Sequence, residues 1–133
     1  ERGAYVVANA HKPQGVIMAS GSELSLALAA RERLAKQHGI KVRVVSMISM
    51  ERFNQQPAAY REQVLPDHLR TRLAVEMASS VMWRQYVGLD GDVIGVDRFG
   101  QSGDGHTIVP RYGFTVDNIV EHFLTLNRKG DKR

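Results

Sequence analysis

The sequence predicts an α/β layered domain, and three observations carry that expectation. Short β-prone runs alternate with longer helical runs along the chain. One long stretch rich in Ala and Leu, residues 23–38, has strong helix propensity and stops at Gly39. A further helix near the end carries a full set of start signals and a stripe of apolar residues at helical spacing.

The elements follow in order. AYVVA at 4–8 is the first β-prone run, and His11-Lys12-Pro13-Gln14 reads as a turn. GVIMA at 15–19 is short and wholly apolar, as a buried parallel strand should be. Ser20-Gly21-Ser22 leads at once into the 23–38 helix. KVRVVSM at 41–47 is rich in Val and reads as the next strand. Residues 51–56 allow one helical turn, and Pro57 can occupy the first position of a second helix that Leu65-Pro66 ends. RLAVE at 72–76 is a third core strand, 79–86 a short helix, and DVIGVD at 92–97 the last strand, followed by a Gly-rich loop at 100–105. In the final helix Thr115 is the N-cap, with Asp117 in the first turn facing the positive end of the dipole. Phe114 and Ile119 occupy the two positions of a hydrophobic staple. Val116, Ile119, Val120, Phe123 and Leu126 form its buried stripe.

The 133 residues suit one domain, long enough to bury a continuous core without metals or disulfides. There is no cysteine, which excludes a disulfide framework, a zinc–thiolate site and a cysteine nucleophile. No apolar run reaches membrane-spanning length and no signal peptide opens the chain, so no membrane is expected as a partner. Residue 1 is Glu, which reads as a fragment or a trimmed chain. The net charge of +4 raises the question of nucleic acid. However, Arg128, Lys129, Lys132 and Arg133 against Asp131 place +3 in the last six residues and leave +1 in residues 1–127. The expectation is a domain over 1–127, a basic, flexible tail over 128–133, and no nucleic-acid partner.

The passage from strand through Ser20-Gly21-Ser22-Glu23 into helix is the most suggestive for chemistry. A loop at a strand's carboxyl end that opens a helix presents free N–H groups to an anion. Ser20 and Glu23 also fit the S-x-x-E capping box, which uses those donors internally. Both readings are open. The loops at 20–22 and 97–106 each follow a parallel strand, so both are expected at the sheet's carboxyl edge, where α/β folds bind ligands. The candidate anion-binding set is therefore Ser20, Gly21, Ser22, Arg98, Ser102 and His106. Sugar phosphates would be its first ligands to test. Gly103-Asp104-Gly105 resembles the opening of a metal motif, but no paired asparagines follow it at the right distance. None of the five histidines pairs with another at metal-ligand spacing, and no G-x-S-x-G elbow marks a nucleophile. Trp83 and Tyr86, three apart, read as a packed aromatic corner against the last strand or as a domain contact.

In order and at family spacing, several segments resemble the C-terminal domain of transketolases. They are Ala19-Ser20-Gly21-Ser22-Glu23-Leu24, then 41–47, then Gln56 through Tyr60-Arg61 to Val64-Leu65-Pro66, and 72–76. Trp83, Tyr86-Val87-Gly88, Asp97-Arg98-Phe99-Gly100 and Phe114-Thr115-Val116 continue the resemblance, which covers about residues 3 to 126. Pyruvate dehydrogenase and deoxyxylulose-phosphate synthase carry similar terminal domains, but the Y-R-x-x-V-L-P segment and the 97–100 run favour transketolase. Departures lie at Gly103-Asp104, where the family usually has Ala-Pro, at Pro110, which falls in what is normally a helix, and at Met47-Ile48-Ser49-Met50, where the family often has Met-Pro.

The resemblance implies a three-layer α/β/α fold around a five-stranded mixed sheet of order 1-3-2-4-5, with strand 1 antiparallel. It also implies a cytoplasmic parent enzyme of the pentose phosphate pathway, a homodimer that transfers a two-carbon ketol unit between sugar phosphates. That parent would use thiamine diphosphate and a divalent metal, Mg or Ca. In the family the upstream domains hold the cofactor, metal and catalytic groups. The resemblance therefore carries no catalytic, cofactor-binding or metal residue onto this chain. It implies a structural, interacting domain whose partners are the upstream domains and which performs no catalysis alone.

Overall fold

The computed structural model describes residues 1–76, 81–95 and 106–132. Six strands make one sheet: β1 (Ala4–Ala8), β2 (Gly15–Ala19), β3 (Val42–Met47), β4 (Arg72–Glu76), β5 (Asp92–Gly95) and β6 (His106–Ile108). Their order is β1-β3-β2-β4-β5-β6. β1 runs antiparallel to β3, and every other pair is parallel. The expected order holds for the first five strands, and β6 extends the sheet by one. Its three residues are too few to show a period in the sequence.

All five residues of β2 are buried, because a central strand in a parallel sheet is covered on both faces. Its alternation divides the core. Val16 and Met18 join one cluster, while Ile17 and Ala19 join the other. The second cluster lies under two long helices, α1 (Leu24–His38) and α5 (Val116–Asp131). The first lies under three short ones, α2 (Met50–Asn54), α3 (Ala58–Val64) and α4 (Arg84–Val87). This is the three-layer arrangement.

The long helices form where the sequence signals are complete. α1 contains no β-branched residue, Gly or Pro in its 15 residues. Gly39 then turns left-handed at φ 65°, and the N–H groups of Gly39 and Ile40 close on the carbonyls of Ala35 and Leu34. In α5 the Thr115 side chain accepts from the Asn118 N–H at 3.2 Å. Ile119, Val120, Phe123 and Leu126 are buried as the stripe requires. α5 continues past Asn127 to Asp131, so four residues of the expected tail are helical.

The short helices depart from expectation in detail. Pro57 flanks α3 instead of opening it, and Ser49 caps α2 by accepting from the Arg52 N–H at 3.2 Å. The expected 79–86 helix is a 3-10 turn at Val81–Trp83 followed by α4, with residues 79 and 80 outside the described set. Pro110 sits between β6 and a 3-10 turn at Arg111–Gly113.

Topology gives the sheet two different ends. α1 leaves the carboxyl end of β2 and returns to the amino end of β3. α3 and α4 likewise finish just before the amino ends of β4 and β5. α5 packs with Phe123 against Gly15, the first residue of β2. A Cβ on Gly15 would lie 2.6 Å from the Phe123 ring. The roughly two turns of α5 after Phe123 therefore run on past the amino edge.

Candidate functional site

The carboxyl edge has a switch point between β2 and β4. These are hydrogen-bonded neighbours, and the chain leaves them in opposite directions, towards β3 and towards β5. Ser20 stands at the end of β2, and a 3-10 turn at Gly21–Glu23 leads into α1. The Ser20 hydroxyl donates to Glu76 Oε1 at 2.8 Å, across to the end of β4. The Ser22 hydroxyl donates to a carboxylate oxygen of Glu23, a side chain only 8% exposed.

The expected capping box therefore does not form. Ser20 makes no side-chain capping bond, and its carbonyl accepts the Glu23 N–H instead. A carboxylate on the neighbouring strand gives the hydroxyl a charge-assisted partner, the stronger of the two choices. The result is a loop with two carboxylates, Glu23 and Glu76, hydrogen-bonded to its hydroxyls. An incoming anion meets negative charge there.

The other members of the expected anion set do not gather at this point. Arg98 and Ser102 lie outside the described residues, as does Gly103-Asp104-Gly105. His106 begins β6 opposite Val93, so its backbone enters from the amino side of the sheet, away from Ser20 to Ser22. Among the described residues no group of three or more His, Cys, Asp or Glu could hold a metal ion. No helix is long and apolar enough to cross a membrane.

The amino edge is organised by arginines. Arg72, at the start of β4, donates to the carbonyls of Leu69 at 2.7 Å, Tyr86 at 2.7 Å, Pro66 at 2.8 Å and Leu65 at 3.2 Å. Burial lowers its pKa, and the charges of Asp67 and Glu62 partly oppose that. Arg43 donates to the carbonyls of Gln63 and Val64, the last residues of α3, and to Asn9 Oδ1. Burial lowers its pKa as well. Arg31 holds the Asn9 carbonyl at 2.6 Å and the Val42 carbonyl at 3.2 Å. Carbonyls at and just beyond helix ends lack helical partners, and guanidinium groups supply several donors each. Sequence reasoning missed all three arginines. The signal that could have found Arg72 is its position, at the start of the strand that follows a helix stopped by Leu65-Pro66.

Clefts open nearby. One, of about 410 Å³, lies among α2, α3 and α4 and includes Phe53, Asn54, Arg61, Asp67, Arg72 and Tyr86. The Tyr86 hydroxyl donates to Asn54 Oδ1 at 2.8 Å. Burial raises its pKa, and the Asn54 bond pulls the other way. Its ring meets Phe53 and Trp83 edge-on at 5.9 and 6.4 Å. Trp83 and Tyr86 are thus the packed aromatic corner that the sequence suggested, in one cluster with Val93 of β5. The second cleft, of about 260 Å³, lies between the β1–β2 turn and the C-terminal half of α1.

With this geometry in view, comparison with known proteins gives one consistent result. Residues 3–115 match the family described as the transketolase-like TK C-terminal domain. The chain is 49% identical over 131 residues to a transketolase of Bacillus subtilis, covering 97% of this chain and 20% of that protein. Among solved structures, a transketolase from Pichia stipitis in complex with sedoheptulose 7-phosphate superposes with a TM-score of 0.82 at 32% identity. It covers 99% of this chain and 19% of that one. A transketolase from Leishmania mexicana gives 0.79 at 36% identity, over 96% and 18%. The chain spans about one fifth of the length of the relatives it matches.

Proposed function

The chain belongs to the transketolase-like C-terminal domain family, and from that premise we propose that it serves as a structural and interacting domain of a transketolase. The parent enzyme would be a cytoplasmic homodimer moving two-carbon ketol units between sugar phosphates. The remaining four fifths of such a protein would hold thiamine diphosphate and its divalent metal. The observation that carries this reading is 49% identity sustained over 131 residues to an enzyme five times longer.

In support of this reading, no group of three or more His, Cys, Asp or Glu among the described residues could hold a metal ion, and the hydroxyls and carboxylates at the switch point are engaged with one another. The chain's exposed side chains Ile48, directly after β3, and Met82, just before α4, provide apolar surface for contact with the rest of such an enzyme.

Calorimetry with thiamine diphosphate and Mg²⁺ tests the proposal. No saturable heat is expected from the 133-residue protein, and micromolar binding would overturn it. The anion set at the carboxyl edge is a second reading. It stands on the switch-point position of Ser20 to Ser22, and it has Glu23 and Glu76 against it.

A further inference from the structure

We propose that the amino edge of the sheet binds a small, multiply charged oxyanion in the 260 Å³ cleft between the β1–β2 turn and α1. This does not depend on the parent enzyme and places the site at the opposite end from Ser20. The cleft has an apolar floor of Ala10, Ala35 and Val42 and a rim of His11, Arg31 and Lys41.

Arg31 is fixed by the carbonyls of Asn9 and Val42, so its charge is held in place. The side chains of Lys41 and His11 have no hydrogen-bond or ion-pair partner among the described residues and remain available to a ligand. Glu32 also lines the cleft, but Arg31 and Lys36 sit against it at 3.4 and 3.7 Å. Lys12, next to His11, holds a left-handed backbone at φ 49°, where glycine would sit with less strain. The sequence thus places a cation at a position whose backbone favours another residue.

Two wider features bear on the balance. The last turns of α5, which carry Arg128 and Lys129, run towards this same edge. The carbonyl end of α1 opposes an anion, but Gly39 and Ile40 cover the carbonyls of Ala35 and Leu34. No aromatic residue lines the cleft for a base to stack on, and its volume suits a phosphate-sized group.

Backbone-amide NMR of the 133-residue protein at constant ionic strength tests this, with inorganic pyrophosphate in one titration and succinate in another. Saturable shifts are expected at residues 10–12 and 41–42, with residues 20–23 unmoved. Saturation by pyrophosphate alone assigns a phosphate ligand, by succinate alone a dicarboxylate, and by both an oxyanion in general. Lys41→Ala should weaken binding about two- to fivefold, the scale of an exposed charge contact. Its unchanged thermal melt would show an intact fold. If that melt falls, Lys41→Gln is the replacement variant, with the same weakening expected. Non-saturating drift at lysines over the whole surface overturns the proposal. So do shifts centred on 20–23, or undiminished binding by a folded Lys41 variant.

Discussion

The two ends of the sheet solve opposite problems with opposite residues. At the carboxyl edge, where α1 begins, serine hydroxyls turn onto the carboxylates of Glu23 and Glu76. At the amino edge, where α1, α3 and α4 finish, Arg31, Arg43 and Arg72 gather carbonyls from the neighbouring helix ends and loops. The difference follows from topology. In a sheet with helical crossovers, helix N-termini collect at one edge and C-termini at the other. Unpaired N–H groups and positive dipole ends face the first, and unpaired carbonyls and negative ends face the second. Serine–carboxylate contacts stand at the first edge and arginine–carbonyl contacts at the second.

The sharpest way to break this comparison is Arg72→Met. It keeps an apolar stem but takes the guanidinium from four carbonyls, of which that of Pro66 keeps the Leu69 N–H as donor. A loss of about 3 kcal/mol is expected in urea unfolding, the scale for buried polar groups losing a charged partner. A loss under about 1 kcal/mol would mean that water replaces the guanidinium and that the arginine does not organise this edge. Gly15→Ala, at the same edge, should cost about 2 kcal/mol. Its Cβ would lie 2.5 Å from the Thr71 carbonyl and 2.6 Å from the Phe123 ring, so α5 must shift. A melt unchanged by that substitution would show that α5 is not seated on β2.

These arginines also mark where the sequence stopped being legible. The α1 and α5 face could be read because its signals are local. A helix without breakers, a glycine stop, a threonine cap and an apolar stripe each lie within a few residues. The Ser20–Glu76 bond joins residues 56 apart, and no local pattern announces it. The S-x-x-E pattern instead suggested a box that does not form. His11, Arg31 and Lys41 are likewise scattered through the chain and line one cleft only because the β1–β2 turn, the C-terminal half of α1 and the start of β3 share one edge. Charge counted along the sequence placed most of the excess in the last six residues, whereas the fold brings those residues towards an edge that is already basic.

A smaller effect is expected from Tyr86→Phe, which removes the bond to Asn54 and should cost about 1 kcal/mol at neutral pH. Its pH dependence adds a second readout. Burial raises the Tyr86 pKa above the ordinary phenol value of about 10. The folded state therefore holds this proton more tightly than the unfolded chain does. That contribution is intact below about pH 10 and is lost as pH rises through the folded value. Equilibrium unfolding across pH 8 to 11 should show the steeper alkaline loss in the unmutated protein. Parallel curves would remove Tyr86 from the buried corner. Ser20→Ala, at the carboxyl edge, should cost less still, about 0.5 kcal/mol, because Glu76 has other interactions and lies part-exposed to water. A loss as large as that of Arg72→Met would erase the contrast between the two ends.

Lys12→Gly has the smallest expected effect on stability and separates binding from folding. At φ 49° a lysine pays the left-handed penalty that glycine escapes, which favours the variant in the folded state. Glycine also gives the unfolded chain more freedom, which works against it. The two terms are of similar size, so the melt should move by no more than about 0.5 kcal/mol in either direction. The charge next to His11 is nevertheless gone. If pyrophosphate affinity falls by about twofold or more while the melt stays in place, Lys12 belongs to the amino-edge site. If affinity and melt are both unchanged, Lys12 is a turn residue only, and the site narrows to His11, Arg31 and Lys41.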